Sequence, residues 1–437
     1  MTQPMNSANH MAIGIDCGTS GVRAVAVNSC QQILAESALA LTEQTPAHWW
    51  KTTLSVLDDL FSQLHQTVVL ANYQVAISLD ATSSSLFLIS RDGIPLTPVL
   101  MYYDACSNMA SAIRSQLGSN SGAQGAQSSL AKALTLADSL AKQIPQDQHW
   151  LVCHQADWLL YQLSGQLGVS DENNCLKLGY DPVFQQWEKS TLELIGQTHL
   201  PNVVAPATLI GDLKDPLRER WQLPTSTQLA SGTTDSIAAF LATGASMPGD
   251  AVISLGSTLA FKLLTHQPYF DAEKGIYSHR LWNQWLVGGA SNAGGACLLQ
   301  AFELSQLQLL AQQPLVQPSP VPDYYPLPSQ RCGERFPVND PHLCAPSLPH
   351  TLDASERFST LVHGLVAIEQ LGWQRLSEGC EQPITRLYAC GGGNKNPAWA
   401  GLRKATLTMP HAHPLSEQAA VGAAMLALRS LSNMTSV

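Results

Sequence analysis

The stretch Asp16-Cys-Gly-Thr-Ser-Gly21 ends an apolar run with a carboxylate and follows it with a glycine-flanked turn carrying two hydroxyls. Such a turn exposes backbone N–H groups and side-chain oxygens, which suits phosphate oxygens. The carboxylate at the strand end can hold Mg²⁺ or its waters. An ordinary hairpin turn with a capping Asp is the bland alternative, because short Gly/Ser/Thr turns are common. A second stretch, Ser231-Gly-Thr-Thr-Asp-Ser236, precedes an apolar helical run. Asp235 falls at or near the helix N-terminus, where the dipole keeps a carboxylate ionised. An ionised Asp beside a sugar hydroxyl is what a phosphoryl-transfer base requires, although a plain N-cap has the same local signature.

Two further stretches are built from glycine. Ser254-Leu-Gly-Ser-Thr258 is a second turn of the phosphate type. Gly391-Gly-Gly-Asn-Lys-Asn-Pro-Ala-Trp399 allows close approach of backbone to a flat ligand. There Asn396 reads as an N-cap and Pro397 as the first helical position. Trp399 then lies in the first turn, either walling an adenine or half-buried in a helix face. Val287–Ala296 is also glycine-rich and is open to a purely structural role.

The elements that must position these residues alternate between strand and helix. Ala12–Asp16, Val22–Val27, 32–37, Val75–Leu79 and Ser85–Ile89 read as strands. Helical spacing runs over 47–72, 130–143, 155–163 and 355–378. Residues 115–130 resemble a surface loop, and the proline-rich segment 312–330 is not helical. The class is therefore α/β. The strand–turn–strand unit around Asp16 recurs around Ser254 between strands 251–253 and 259–263. This suggests a duplicated fold with a cleft between the copies.

Composition sets the outer bounds. A length of 437 residues implies two or three domains. A net charge of −10 argues against a nucleic-acid backbone as partner. Hydrophobic residues make up 45% of the chain, enough for a large core and against wholesale disorder. No apolar run is long enough to span a bilayer, and the polar start of the chain does not read as a secretory signal. The ten cysteines are scattered without a CxxC, which reads as reduced core thiols in a cytoplasmic protein. Cys17 reads as a small turn residue in the core.

Singly these signals are weak, but in their order and spacing they resemble the FGGY carbohydrate kinase family of the actin-like ATPase superfamily. The likeness extends over nearly the whole chain and includes Gln155-Ala-Asp-Trp-Leu159, Asn174-Cys-Leu-Lys-Leu-Gly-Tyr-Asp181, Leu200-Pro-Asn-Val-Val204, Tyr325-Pro-Leu and Gly333-Glu-Arg-Phe-Pro337. Val75-Ala-Ile-Ser-Leu-Asp-Ala-Thr-Ser83 resembles the ribulokinase branches. The chain is most similar to the cyanobacterial and plant xylulose-kinase-like group that phosphorylates D-ribulose.

The resemblance implies a two-lobed fold of duplicated RNase H-like units, with ATP and sugar in the cleft and Mg²⁺ as cofactor. The first ten residues read as a flexible tail, and the resemblance implies a sugar-binding lobe with the catalytic base over 11–247 and a nucleotide-binding lobe over 248–437. Asp235 matches the catalytic base. Asp16, Asp80, Ser83 and Asp235 match sugar contacts, and Asp16 and Asp235 the metal site. Gly18, Thr19 and Ser20 match the first phosphate loop, and Gly256, Ser257 and Thr258 the second. Gly392, Gly393, Asn396 and Trp399 match the adenine pocket. D-ribulose would be phosphorylated at its terminal O5, with D-xylulose, L-ribulose or a polyol as alternatives within the family. A non-catalytic nucleotide-binding protein on the same fold would have lost the base, and Asp235 is present. One departure stands out. Many members carry an Asp-x-Arg signature that acts on the sugar, whereas Met101-Tyr-Tyr-Asp-Ala-Cys106 has no Arg.

Overall fold

A computed structural model describes residues 9–118, 120–143, 149–328 and 332–434, with side chains to 432. The chain divides into two compact units. One holds the described residues up to Ala242 together with those from Gln418 on, and the other holds Thr243–Glu417. The expected second lobe over 248–437 therefore differs from the observed unit, because the last helix belongs with the first. Of the expected tail, residues 1–8 lie outside the described residues, while Asn9 and His10 already pair in the first strand.

In the first unit, β1 (Asn9–Cys17), β2 (Gly21–Asn28) and β3 (Ile33–Ala40) form an antiparallel meander. Helix α1 (Pro46–Thr67) starts where Thr45 Oγ1 accepts from His48 N, with Pro46 at the first position. Its Trp49, Val56, Leu57, Leu60, Phe61 and Leu64 recur at helical spacing and bury one face against the sheet. Strand β4 (Tyr73–Ala81) pairs parallel with β1 and is buried over seven consecutive residues, as a central parallel strand must be. β5 (Gln228–Ala230) and β6 (Thr233–Thr234) add in parallel to the far side of β4. The edge strand Leu209–Asp212 closes the sheet in the order 209–212, β5, β4, β1, β2, β3. Between β4 and β5 the chain builds a smaller body with its own core, including Leu86, Leu88, Leu130, Leu136 and Leu178. Helix α2 (Asp235–Ala242) follows β6 directly.

The second unit repeats the plan. β7 (Asp250–Leu255) pairs antiparallel with β8 (Leu259–Thr265), β8 with β10 (Gln284–Ser291), and β10 with β9 (Tyr277–Leu281). β11 (Arg386–Cys390) runs parallel to β7, and β12 (His411–Ala412) parallel to β11. Thus β7, β8, β10 and β11 stand where β1, β2, β3 and β4 stand in the first unit. The duplication read from two turn sequences holds at the level of strand order.

Helix α3 (Ala354–Cys380) covers this sheet and is joined to α4 (Pro397–Thr406) by a buried ion pair. Arg403 Nε and Nη2 donate to Glu369 at 2.6 and 2.7 Å, and Trp373 Nε1 adds a bond to the same carboxylate at 3.2 Å. Removing one partner would strand a buried charge, a loss of about 3–5 kcal/mol.

The C-terminal helix α5 (Ala419–Met434) packs on the face of the first sheet that α1 leaves open, with Ala420 and Ala424 beside Ala12, Val25 and Ala76. The approach is close enough that a Cβ on Gly14 would lie 1.9 Å from Ala420 O. Only glycine fits there.

The cysteine expectation needs one correction. Cys17, Cys153, Cys175, Cys297 and Cys390 are buried free thiols, but Cys332 and Cys344 form a disulfide in an exposed loop. They stand twelve positions apart, and Gly333 N donating to Leu343 O at 2.7 Å draws the two ends of the loop together. Among the described residues no helix is long and apolar enough to cross a membrane.

Candidate active site

Sheet register brings the acidic candidates of the first unit together. Asp16 lies opposite Asp80 on the parallel pair β1–β4, and Thr233 opposite Asp80 on β4–β6. Asp235 comes two residues after Thr233. Three carboxyl groups therefore sit at the C-terminal ends of three adjacent parallel strands, about 4.8 Å apart strand to strand. This is the edge where open α/β sheets place their ligands.

Burial grades them. Asp80 in the middle is fully buried, Asp16 is 6% exposed, and Asp235 is half-buried. Neither carboxyl oxygen of Asp80 meets an N–H or hydroxyl donor. Burial first, then the charges of Asp16 and Asp235, push its pKa well above the carboxylate range. Burial therefore favours the protonated form of Asp80 beside Asp16. Asp16 is itself pushed up to about 6, by burial foremost, with Arg23 opposing and Asp235 adding to the rise. Asp235 opens α2, and Ser236 N donates to its Oδ1 at 2.7 Å.

The turn between β1 and β2 closes by Gly18 N donating to Gly21 O at 3.0 Å, leaving Thr19 and Ser20 exposed. Gln44 Nε2 holds Thr19 O at 2.6 Å while Gln44 Oε1 accepts from Trp49 Nε1, so the start of α1 steadies the turn. Arg23 pairs across the hairpin with Asp16, its Nη1 at 3.4 Å and its side chain 52% exposed. Sequence reasoning passed over Arg23, although counting the hairpin register from Gly18 and Gly21 places it opposite Asp16.

Ser83 is half-buried, and Lys177 Nζ donates to its Oγ at 3.2 Å. Its neighbour Thr82 is fixed by the fully buried Gln155, whose Oε1 accepts from Thr82 Oγ1 at 2.6 Å. The Nε2 of Gln155 donates to Cys17 Sγ at 3.2 Å, tying the end of β4 to the residue after Asp16. Cys17 is fully buried and its thiol is pushed up by burial and by Asp16, so it is a packing residue.

The second unit answers with backbone. Gly256 N donates to Thr258 O at 3.1 Å, and Ser257 and Thr258 are exposed. This turn rests on the helix Gly295–Ala301: Gly295 N donates to Gly256 O, and Ala296 N to Ser257 O. A Cβ on Gly294 would lie 2.5 Å from Ser257 O, so the glycines of 287–296 make the cradle of the turn. A cavity of about 450 Å³ opens beside it, lined by Ser257, Thr258, Asn292, Ala296 and Gln300 with Pro328 and Cys332.

In the last glycine stretch Asn396 caps α4, its Oδ1 accepting from Trp399 N at 3.1 Å, with Pro397 at the first position. Gly391 takes φ +91° beside the Leu255 carbonyl, a conformation glycine alone adopts freely. Gly392 is exposed and Gly393 half-buried. Trp399 departs from the wall expected of it. It is 1% exposed, a member of the core beneath Gly393, so it carries the glycine backbone and offers no open face to a base.

Among the described residues no group of three or more His, Cys, Asp or Glu is placed to hold a metal ion. The pair Asp16 and Asp235 nevertheless fits Mg²⁺. The charge of Asp235 adds to the raised proton affinity of Asp16, and Mg²⁺ is commonly held by one or two carboxylates together with substrate phosphates.

Comparison with known proteins bears on the fold and the family. A xylulose kinase from Staphylococcus xylosus is 22% identical over 450 residues, covering 95% of this chain and 90% of the relative. A xylulose kinase from Klebsiella pneumoniae is 21% identical over 362 residues, covering 76% and 71%. A crystal structure of a xyloylose kinase from Brucella ovis superposes with a TM-score of 0.84 at 22% identity, covering 97% of this chain and 91% of that one. Residues 11–242 match the N-terminal domain, and residues 251–431 the C-terminal domain, of the FGGY family of carbohydrate kinases. The chain, with its duplicated sheets and its acidic strand ends, belongs to that family.

Proposed function

We propose that this sugar kinase phosphorylates D-ribulose at its terminal hydroxyl, with ATP as phosphoryl donor and Asp235 as general base. The observation that carries the kinase chemistry is the alignment of Asp16, Asp80 and Asp235 on adjacent strand ends. Asp235 takes the proton of the attacking hydroxyl, and its place at the start of α2 favours the ionised form. Asp16, Asp80 and Ser83 bind and orient the sugar, with Asp80 acting through Asp16 because it is fully buried.

The turns Gly18–Ser20 and Gly256–Thr258 receive phosphate oxygens through N–H and hydroxyl groups, and Gly392, Gly393 and Asn396 approach the adenine. A chain of net charge −10 needs such local donors to receive phosphate charge. Mg²⁺ held by Asp16 and Asp235 would offset phosphate charge. Catalysis is then chiefly positioning and charge stabilisation.

The choice of D-ribulose rests on Asp80-Ala-Thr-Ser83 and its likeness to the ribulokinase branches. The names of the relatives favour a second reading, D-xylulose. ADP release with Mg-ATP against D-ribulose, D-xylulose, L-ribulose and glycerol, beside a no-sugar control, separates them. Stimulation by D-ribulose above the others is expected. Stimulation by D-xylulose instead would replace the substrate and leave the base in place, and no stimulation by any sugar would overturn the reading.

A further inference from the structure

The carboxylates mark one end of the sugar site, and two lysines mark the turn beyond it. Lys177 Nζ donates to Ser83 Oγ at 3.2 Å, and Lys132 Nζ donates to Ser84 O at 2.9 Å. Lys132 is fully buried on the helix Ser129–Leu140. Burial, and after it the nearby charge of Lys177, lowers Lys132 to about 8. Two ammonium groups are thus drawn to one turn, where a serine hydroxyl and a main-chain carbonyl receive them.

The segment bearing Lys177 also reaches the base. It runs as the helix Glu172–Cys175 and continues as a 3-10 turn over Leu176–Leu178. Near its start Asn173 Nδ2 donates to Thr233 Oγ1 at 3.0 Å, two residues before Asp235. Near its end it touches Ser83. One rigid segment therefore spans from the base to the Ser83 turn, and Lys177 is its only half-exposed member among otherwise buried neighbours.

The stretch 101–106, which lacks an arginine, adjoins the same turn. Tyr102 N donates to Ser85 Oγ at 3.0 Å, and Asp104 Oδ2 accepts from Met101 N at 2.7 Å.

We propose that Lys177 is a specificity-determining residue that donates to the carbonyl oxygen of an open-chain 2-ketopentose, while the far terminal hydroxyl faces Asp235. The assignment rests on the ketopentose reading above but not on the choice between D-ribulose and D-xylulose. An ammonium fixed beside a ketone oxygen favours the carbonyl over the corresponding alcohol, because the planar carbonyl oxygen accepts along the line the ammonium offers, whereas the hydroxyl of the reduced sugar sits on a tetrahedral carbon, accepts off that line and brings a hydrogen of its own. Ser83 holds the ammonium in place when no sugar is bound, and Lys132 positions the turn from below.

The test compares steady-state kinetics of wild type, Lys177→Met, Lys177→Arg and Ser83→Ala with the preferred ketopentose and with its reduced polyol, ribitol or xylitol. Lys177→Met is expected to raise KM for the ketose about 10- to 100-fold with kcat for the ketose changed far less. KM for the polyol stays near wild type, so the preference for ketose collapses. Lys177→Arg restores part of it, and Ser83→Ala weakens it less than the methionine does. An unchanged ketose-to-polyol ratio in Lys177→Met overturns the assignment. So does an equal loss on both substrates with a lowered melting temperature, which would mark a structural lysine. Should Lys177→Met fail to fold, an unchanged ratio in Ser83→Ala has the same force. A wild type that turns over no ketopentose removes the ketose reading itself and this assignment with it, and that result is visible before any variant is made.

Discussion

The two units place different chemistry on equivalent strand ends. In the first, Asp16 on β1 lies opposite Asp80 on β4. In the second, the same register brings Ser254 on β7 opposite Cys390 on β11. Both are followed by a Gly-hydroxyl turn, Gly18-Thr19-Ser20 and Gly256-Ser257-Thr258. The first unit concentrates acidic groups, two of them nearly or fully buried, and raises their proton affinity. The second keeps the strand ends neutral, and its turn is cradled by main-chain N–H groups. Proton removal from a hydroxyl needs a carboxylate, whereas a triphosphate is repelled by one. On the function proposed above, a duplicated scaffold would serve both needs by changing a few residues at the strand ends while keeping the turn.

Breaking this division at the acidic end should cost most. Asp235→Ala is expected to lower kcat about a thousandfold, within the range of a lost general base, with the melting temperature unchanged. ADP-release kinetics and a thermal melt measure both, and near-normal turnover would remove Asp235 from its role. Erasing the division from the other side comes next. Ser254→Asp copies Asp16 into the second unit and should raise KM for ATP about tenfold, because a carboxylate then faces the phosphate turn. Unchanged ATP affinity would show that the neutrality of that strand end is incidental.

A smaller effect sharpens the picture. Asp80→Asn keeps size and a donor to Asp16, so kcat/KM should fall by no more than about threefold. A loss as large as that of Asp235→Ala would mean that Asp80 works as an ionised carboxylate. The smallest effect concerns charge kept off the strand ends. Lys132 titrates near 8 folded and near 10.5 unfolded. Between those values the unfolded chain binds the extra proton, so stability rises with pH across this window and is lowest below it. Lys132→Met should remove a dependence of about one proton there, seen in urea melts taken from pH 7 to 10.5. A wild-type profile flat from 8 to 10 would contradict the burial argument.

What could be read in the sequence was local. The Asp16 and Ser254 turns, the helix opened by Asp235 and the Asn396-Pro397 cap all follow from a few adjacent residues, and the structure has each where expected. Ser83 was legible only by likeness, and its partner was not, because Lys177 lies 94 positions away and reaches it through the fold. The same holds for Gln155, which joins Cys17 to Thr82 across 138 and 73 positions. Trp399 was misjudged because its first-turn position does not say which way the helix faces; Glu369, Trp373 and Arg403 fix α4 with that ring inward. The exposed Cys332–Cys344 pair was hidden by a compositional argument about cysteines in general.

The return of α5 to the first unit bears on how the protein is made. Residues 243–417 are contiguous and emerge from the ribosome as a complete unit. The first unit, although synthesised earlier, must wait for the last stretch of the chain. Until then the sheet face of Ala12, Val25, Val27 and Ala76 has no cover, and Gly14 faces solvent where a helix backbone belongs. A nascent chain stalled anywhere before Gln418 would therefore leave this apolar sheet face without the helix that covers it, the kind of exposed surface that makes incomplete chains prone to aggregate.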